Sequence, residues 1–262
     1  MSGRLLSLVA VSSSGLIALA GALLHQGIVR FNHPSFGRYP VQGVDVSHHQ
    51  GRIDWTKVKG PRSQFAYIKA SQGTTFRDSL FTANWDGALA AGVVPGSYHY
   101  FSLCSSGAEQ ATNFIAAAAW TKVVGLPPAV DLEFRGNCGR RPSAAEFSAE
   151  LQKFLELVQT EWGCRPVLYV TEEFYYPYVA EAFGSYPLWV RNVFAEPRLA
   201  SGRAWRIWQF ADRGRLPGVE TFVDLDAFNG SVQEFATFRC ASPPLDLQPV
   251  SVLSLDRLAP VP

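Results

Sequence analysis

The chain is poor in net charge. Its 23 Lys and Arg against 22 Asp and Glu leave +1 at pH 7, so no strong field of one sign argues for nucleic acid as a partner. Cysteine is sparse, at four residues. None stand in C-x-x-C spacing, which removes the usual signature of a zinc site. Internal repeats are absent, which sets aside solenoids and propellers. Uncharged apolar sequence of membrane-spanning length occurs once, from Leu5 to Leu24 behind a lone Arg4. It matches the roughly 20 residues a spanning helix needs, although Ser12 to Ser14 dilute it. Ala18-Leu19-Ala20 resembles an export cleavage site. The expectation is an exported protein, periplasmic or extracellular. Residues 1–24 then serve either as a cleaved signal or as a retained anchor in the inner membrane. Four cysteines suit an oxidising compartment. Residues 25–42 read as a linker, 43–241 as the folded domain and 242–262 as a Pro-rich disordered tail.

Aromatics are plentiful by contrast, at 13% with seven Trp. Stacking on sugar faces would use them, as would ordinary core packing. Short β-branched and aromatic runs at 43–47, 65–71, 96–101, 129–134, 166–171, 188–193, 206–210 and 222–228 read as strands. Helical segments are expected at 80–91, 109–120, 144–161 and 173–182. Ser143 with Glu146 forms a capping box, and Gly163 is a stop. Eight strands with intervening helices imply parallel pairing in an α/β, TIM-like barrel. The stretches 193–206 and 211–222 are too short and Gly/Pro-rich for helices, so the helical ring should be incomplete in the last third. Cys104 and Cys138 follow neighbouring strands at one end of the barrel and can pair. That leaves Cys164 with Cys240.

Asp131-Leu132-Glu133 is the most pointed local feature. On a strand, residues i and i+2 share a face about 6.5–7 Å apart. Two carboxyls so placed can serve glycoside hydrolysis, one as proton donor and one as stabiliser of a cation-like centre, although this spacing does not decide between retention and inversion. Strand-end salt bridges are the plainer reading. Acids and aromatics also fall on other strands: Asp45 on the first, Tyr169 on the fifth, Trp189 on the sixth, Trp208 and Gln209 on the seventh, Asp224 and Asp226 on the eighth. Chemistry in such barrels sits at strand C-termini, and four carboxylate-bearing positions around one ring are poorly explained as packing. Adjacent His48 and His49 on an extended segment would point to opposite sides and could not readily chelate one ion. No metal and no cofactor is called for. His99 reads as a core group.

Several ordered motifs carry a resemblance. Gly43-Val44-Asp45-Val46-Ser47-His48-His49-Gln50-Gly51 resembles the opening of the glycoside hydrolase family 25 muramidases, the Chalaropsis-type lysozymes. The stretches at 65–73 and 92–101, Asp131-Leu132-Glu133, Trp208-Gln209-Phe210 and Val223-Asp224-Leu225-Asp226-Ala227-Phe228 follow in order. The similarity spans about 41–230. It implies hydrolysis of the β-1,4 bond between N-acetylmuramic acid and N-acetylglucosamine in peptidoglycan, with Asp45, Asp131, Glu133 and Asp224 as the four site acids. Glu133 would be general acid. Asp131 would act as nucleophile or support the substrate's 2-acetamido group, and the resemblance favours the latter. Asp226 is a departure, since family members often carry Asn there. Tyr98, Tyr169, Trp189 and Gln209 are expected sugar contacts. A peptidoglycan-binding module without turnover and a chitinase-like hydrolase are the competing readings. A binding module would not need both Asp131 and Glu133, and a chitinase would show a longer run of spaced acids.

Overall fold

A computed structural model describes residues 15–16, 18–200 and 202–240. The expected tail and most of the apolar N-terminal run fall outside them. In chain order the elements are β1 (Gln42–Val46), α1 (Trp55–Val58), β2 (Phe65–Gln72), β3 (Phe76–Arg77), α2 (Phe81–Ala91), β4 (Val94–Tyr100), α3 (Gly107–Ala118) and β5 (Ala129–Leu132). Then come α4 (Ala144–Trp162), β6 (Val167–Thr171), α5 (Glu172–Tyr178), β7 (Leu188–Arg191), β8 (Ile207–Gly214), β9 (Val223–Phe228) and α6 (Val232–Thr237). Single 3-10 turns form at His48–Gln50 and Ala119–Val123.

The sheet runs β1-β9-β8-β7-β6-β5-β4-β2-β3, and a β1–β2 pairing closes eight of the strands into a barrel. β3 is a short antiparallel addition to β2. Neighbours from β1 through β8 pair in parallel, as expected. β9 does not: it is antiparallel to both β8 and β1. The loop from β8 to β9 is too short for a crossover helix, and a short connection can only return the chain antiparallel. The mixed barrel therefore brings the start of β9, not its end, to the rim where the parallel strands finish.

Period-2 alternation sorts the side chains. Outward residues such as Val44, Ile68, Val130, Leu168 and Val190 join the helices in the larger apolar core. Inward residues Phe65, Tyr67, Ala129, Val167, Ile207 and Phe228 fill the lower barrel. Gly43 makes room for this filling, since a Cβ there would lie 2.6 Å from the Phe65 ring. Nearer the rim the inward column turns polar. The capping box at Ser143 and the left-handed Gly163 bound α4 as the sequence reads.

Among the described residues no helix lies between β7 and β9, and residues 25–41 cover that flank instead. Tyr39 is buried against Trp205 and Trp208, with ring centroids 6.1 and 5.9 Å away. The side-chain amide of Asn32 donates to the Phe210 carbonyl at 3.4 Å. Arg213 and Arg215 donate to the carbonyls of His25 and Gln26 at 2.9 and 3.0 Å. Disulfides join Cys104 to Cys138 and Cys164 to Cys240, with Cα separations of 6.2 and 5.1 Å. Among the described residues no helix is long and apolar enough to cross a membrane.

Candidate active site

A pocket of about 600 Å³ opens at the C-terminal rim of the parallel strands. Asp45, Asp131, Glu133 and Asp224 all line it, as do Tyr98, Tyr169, Trp189 and Gln209. Register explains the convergence. Asp45 faces Asp224 across the β1–β9 pair, and Asp131 lies between Tyr100 on β4 and Tyr169 on β6. Asp224 reaches the rim only because β9 is reversed. Glu133 is not on a strand, since β5 ends at Leu132. It starts a loop whose backbone is fastened: Asn137 donates to the Glu133 and Phe101 carbonyls at 3.0 and 2.8 Å. The Tyr100 hydroxyl donates to the Arg135 carbonyl at 2.7 Å. The Cys104–Cys138 disulfide pins the same loop one residue further on.

Burial dominates the electrostatics. Asp131 and Glu133 are both pushed above the ordinary carboxyl range by desolvation. Charge on Glu133 raises Asp131 further. Against this work Arg191, Arg135 and Lys69, which draw Glu133 down, and Lys69, which draws Asp131 down. The balance keeps a proton in the pair at pH values where free carboxyls have lost theirs. Lys69 is itself buried, its ammonium donating to Gln72 Oε1 at 2.7 Å and lying 4.8 Å from the Tyr100 ring centre. Arg191 is held by Asp212 at 2.8 Å. These cations escaped the sequence reading. Their signal was present, because Lys69 is the one charge in an otherwise buried strand and falls on its inward parity.

A second acid pair lies deeper. Asp226 does not line the cavity; it is fully buried beneath Asp45. It accepts from Trp189 Nε1 at 2.8 Å, and its buried Oδ2 finds no hydrogen-bond partner. Asp45 in turn accepts from Gln209 Nε2 at 2.7 Å, and Gln209 Oε1 accepts from the Tyr169 hydroxyl at 3.0 Å. Two buried carboxyls set this close disfavour each other's charge. Burial, then Asp226, pushes Asp45 well up, as burial and Asp224 push Asp226.

Other expectations resolve as follows. His48 and His49 occupy a 3-10 turn rather than an extended segment, so their rings lie side by side with centroids 4.1 Å apart. His48 Nδ1 engages Asp78 at 2.8 Å, and only His49 lines the pocket. Among the described residues no His/Cys/Asp/Glu group is arranged to hold a metal ion. His99 is buried between Ser71 and Gln110, and desolvation pushes its pKa down to about 3. The Trp count is mostly packing: Trp55, Trp85, Trp162, Trp205 and Trp208 are buried outside the pocket, Trp120 is exposed, and only Trp189 lines the site.

A barrel with an acid-lined pocket at this rim and carboxyls of raised pKa has the make-up that glycoside hydrolysis requires. The family model for glycosyl hydrolases family 25 matches residues 44–219. The chain is 36% identical over 205 residues to the uncharacterized protein YegX of Escherichia coli K12, covering 76% of this chain and 74% of that one. It is 34% identical to lysozyme M1 of Streptomyces globisporus, covering 73% and 68% respectively. The solved family 25 glycosyl hydrolase from Bacillus anthracis superposes with a TM-score of 0.72 at 34% identity, over 79% of this chain and 96% of that one. The chain belongs to glycosyl hydrolases family 25, and it is a glycoside hydrolase.

Proposed function

We propose that the protein is an exported muramidase that cuts the β-1,4 bond between N-acetylmuramic acid and N-acetylglucosamine in peptidoglycan. The observation that carries this reading is the meeting of Asp45, Asp131, Glu133 and Asp224 in one pocket at the chemically active rim. The name of the Streptomyces relative, a lysozyme, supports the substrate. Two disulfides support export.

Glu133 is the general acid. Burial raises its pKa and keeps a proton available. It gives that proton to the glycosidic oxygen as the C1–O bond breaks and the bonding pair leaves with the oxygen. The substrate's 2-acetamido oxygen closes on C1 from the other side. Burial and the Glu133 charge raise Asp131, and Lys69 opposes them; with the pair's proton held on Glu133, Asp131 is the carboxylate that stabilises the positive charge gathering on the acetamido group. Glu133, now a carboxylate, takes a proton from the water that reopens the ring at C1. Net configuration is retained, and the acid is restored. Asp45 and Asp224 position the sugar. Tyr98, Tyr169, Trp189 and Gln209 supply its contacts.

Mass spectrometry of muropeptides after digestion tests the reading. It reports bond, substrate and turnover together. Glu133→Gln keeps the shape but has no proton to give, so turnover should fall by at least about 10²-fold, at the low end of general acid catalysis. Near-normal rates in folded Glu133→Gln protein would move the acid elsewhere.

A further inference from the structure

A second pocket, of about 360 Å³, adjoins the catalytic one and shares Asp212 and Arg213 with it. Its outer wall comes from residues 24–31, which precede the family-matched region at 44–219. Its floor is Phe210, and its lip is an aromatic pair, Phe31 and Phe194, with ring centroids 5.3 Å apart. Both rings are unusually bare, at 59% and 70% exposure, so packing alone does not account for them.

The pocket's charge is one-sided. Arg30 lines it, and the buried Nε of that guanidinium has no hydrogen-bond partner. Burial and the Arg62 charge push its pKa down, as for a cation lacking a counter-ion. Arg213 adds a second cation at the junction with the catalytic pocket. Asp212 is already engaged by Arg191 at 2.8 Å, and nearby Glu196 by Arg38 at 2.6 Å. An apolar hollow with unmet positive charge, continuous with a glycan cleft, suits a small, acidic, partly apolar group borne on the glycan itself.

We propose that this pocket binds the acidic peptide stem carried by the muramoyl sugar, making the N-terminal segment a substrate-recognition element. Muramoyl sugars carry such a stem on the lactyl ether, with small apolar side chains and free carboxylates. Phe31 and Phe194 would cover the apolar side chains, and Arg30 would meet a carboxylate. The proposal rests on the muramidase reading above.

The test compares two substrates: peptidoglycan with its stems intact, and the same glycan stripped of stems by an amidase. On the stem-bearing substrate Arg30→Gln should lower kcat/KM by about ten-fold, the worth of one charged hydrogen bond, and Phe194→Ala by about ten-fold through lost apolar cover. Both should leave the stripped glycan unaffected. In parallel, titration calorimetry should show muramyl dipeptide binding the wild type more tightly than N-acetylmuramic acid, a difference the variants lose. Equal losses on both substrates, or no loss on either, overturn the proposal, as does a dimer in sedimentation that Phe194→Ala dissolves, which would make a second copy the occupant. A wild type that cuts neither substrate overturns the muramidase reading itself.

Discussion

Glu133 pairs a hostile environment with the proposed task of general acid, and its pKa links the two. Its folded value is raised above the ordinary 4.5, chiefly by burial. A carboxyl with a raised folded pKa binds its proton more tightly when folded, so its contribution to stability is fullest below about 4.5. That contribution is lost as pH rises through the folded value. Gln at 133 does not titrate. Glu133→Gln should therefore match the wild type in thermal midpoint near pH 4 and exceed it increasingly as pH rises above that. His99, whose depressed pKa of about 3 acts with the opposite sign, is common to both proteins and cancels in the difference. A difference that is flat with pH would mean that the site does not resist charge at Glu133. Asp226 offers a related test. Asn there removes the carboxylate charge that raises Asp45, so Asp45 should ionise at lower pH. That puts negative charge closer to Glu133, and the alkaline limb of the kcat–pH profile should move up, by about one unit. An unmoved limb would show that the Asp226 charge does not govern the ionisation of Asp45.

At the scale of elements, much of the barrel is legible because alternation is visible in residues. Phe65, Tyr67 and Lys69 fall on one parity, Ala66, Ile68 and Ala70 on the other, and the structure puts the first set inside. The same parity, carried along Gly43 and Asp45 and along Asp224, Asp226 and Phe228, brought the site acids together. Alternation has no arrow, however, so the reversal of β9 could not be read from it. The short elements were silent for another reason: α1, β3 and α6 span too few residues to show a period. The expected helix at 173–182 ends at Tyr178, with Pro177 already inside it. Longer helices leave a sharper mark, and their contacts can be tested. Gly107 opens α3 directly against α4, where a Cβ would sit 1.8 Å from the Glu150 carbonyl oxygen. Its amide also donates to Glu150 Oε2 at 2.7 Å. Backbone cannot yield as a flexible side chain does, so Gly107→Ala should cost about 3 kcal/mol, the upper range of overpacking. Urea denaturation should show the loss, while kcat of the folded fraction stays unchanged because the contact lies outside the pocket.

For the whole molecule, the two disulfides divide the work between site and scaffold. Cys104–Cys138 closes a sequence separation of 34 and Cys164–Cys240 one of 76. On the chain-entropy argument each restrains the unfolded chain by about 4 kcal/mol, and the longer loop by slightly more. Their placement differs more than their magnitude. Cys138 follows Asn137, whose side chain fixes the carbonyls of Phe101 and Glu133 and accepts from the Leu103 amide at 2.9 Å. The Cys104–Cys138 bridge thus holds the loop that carries Glu133 and Arg135 into the pocket. Cys164 follows Gly163, the C-terminal cap of α4, and Cys240 follows α6; neither lines the pocket. Replacing Cys164 and Cys240 together by Ser should lower the thermal midpoint and leave kcat at temperatures well below it unchanged. Replacing Cys104 and Cys138 should lower the midpoint to a similar extent and also reduce kcat. A misplacement of about 1 Å at the acid can cost about 10²-fold. Melting curves and initial rates on purified peptidoglycan, measured for both double variants, check this together. If both pairs left kcat intact, the Asn137 hydrogen bonds alone would suffice to position Glu133, and the bridge beside them would serve stability only.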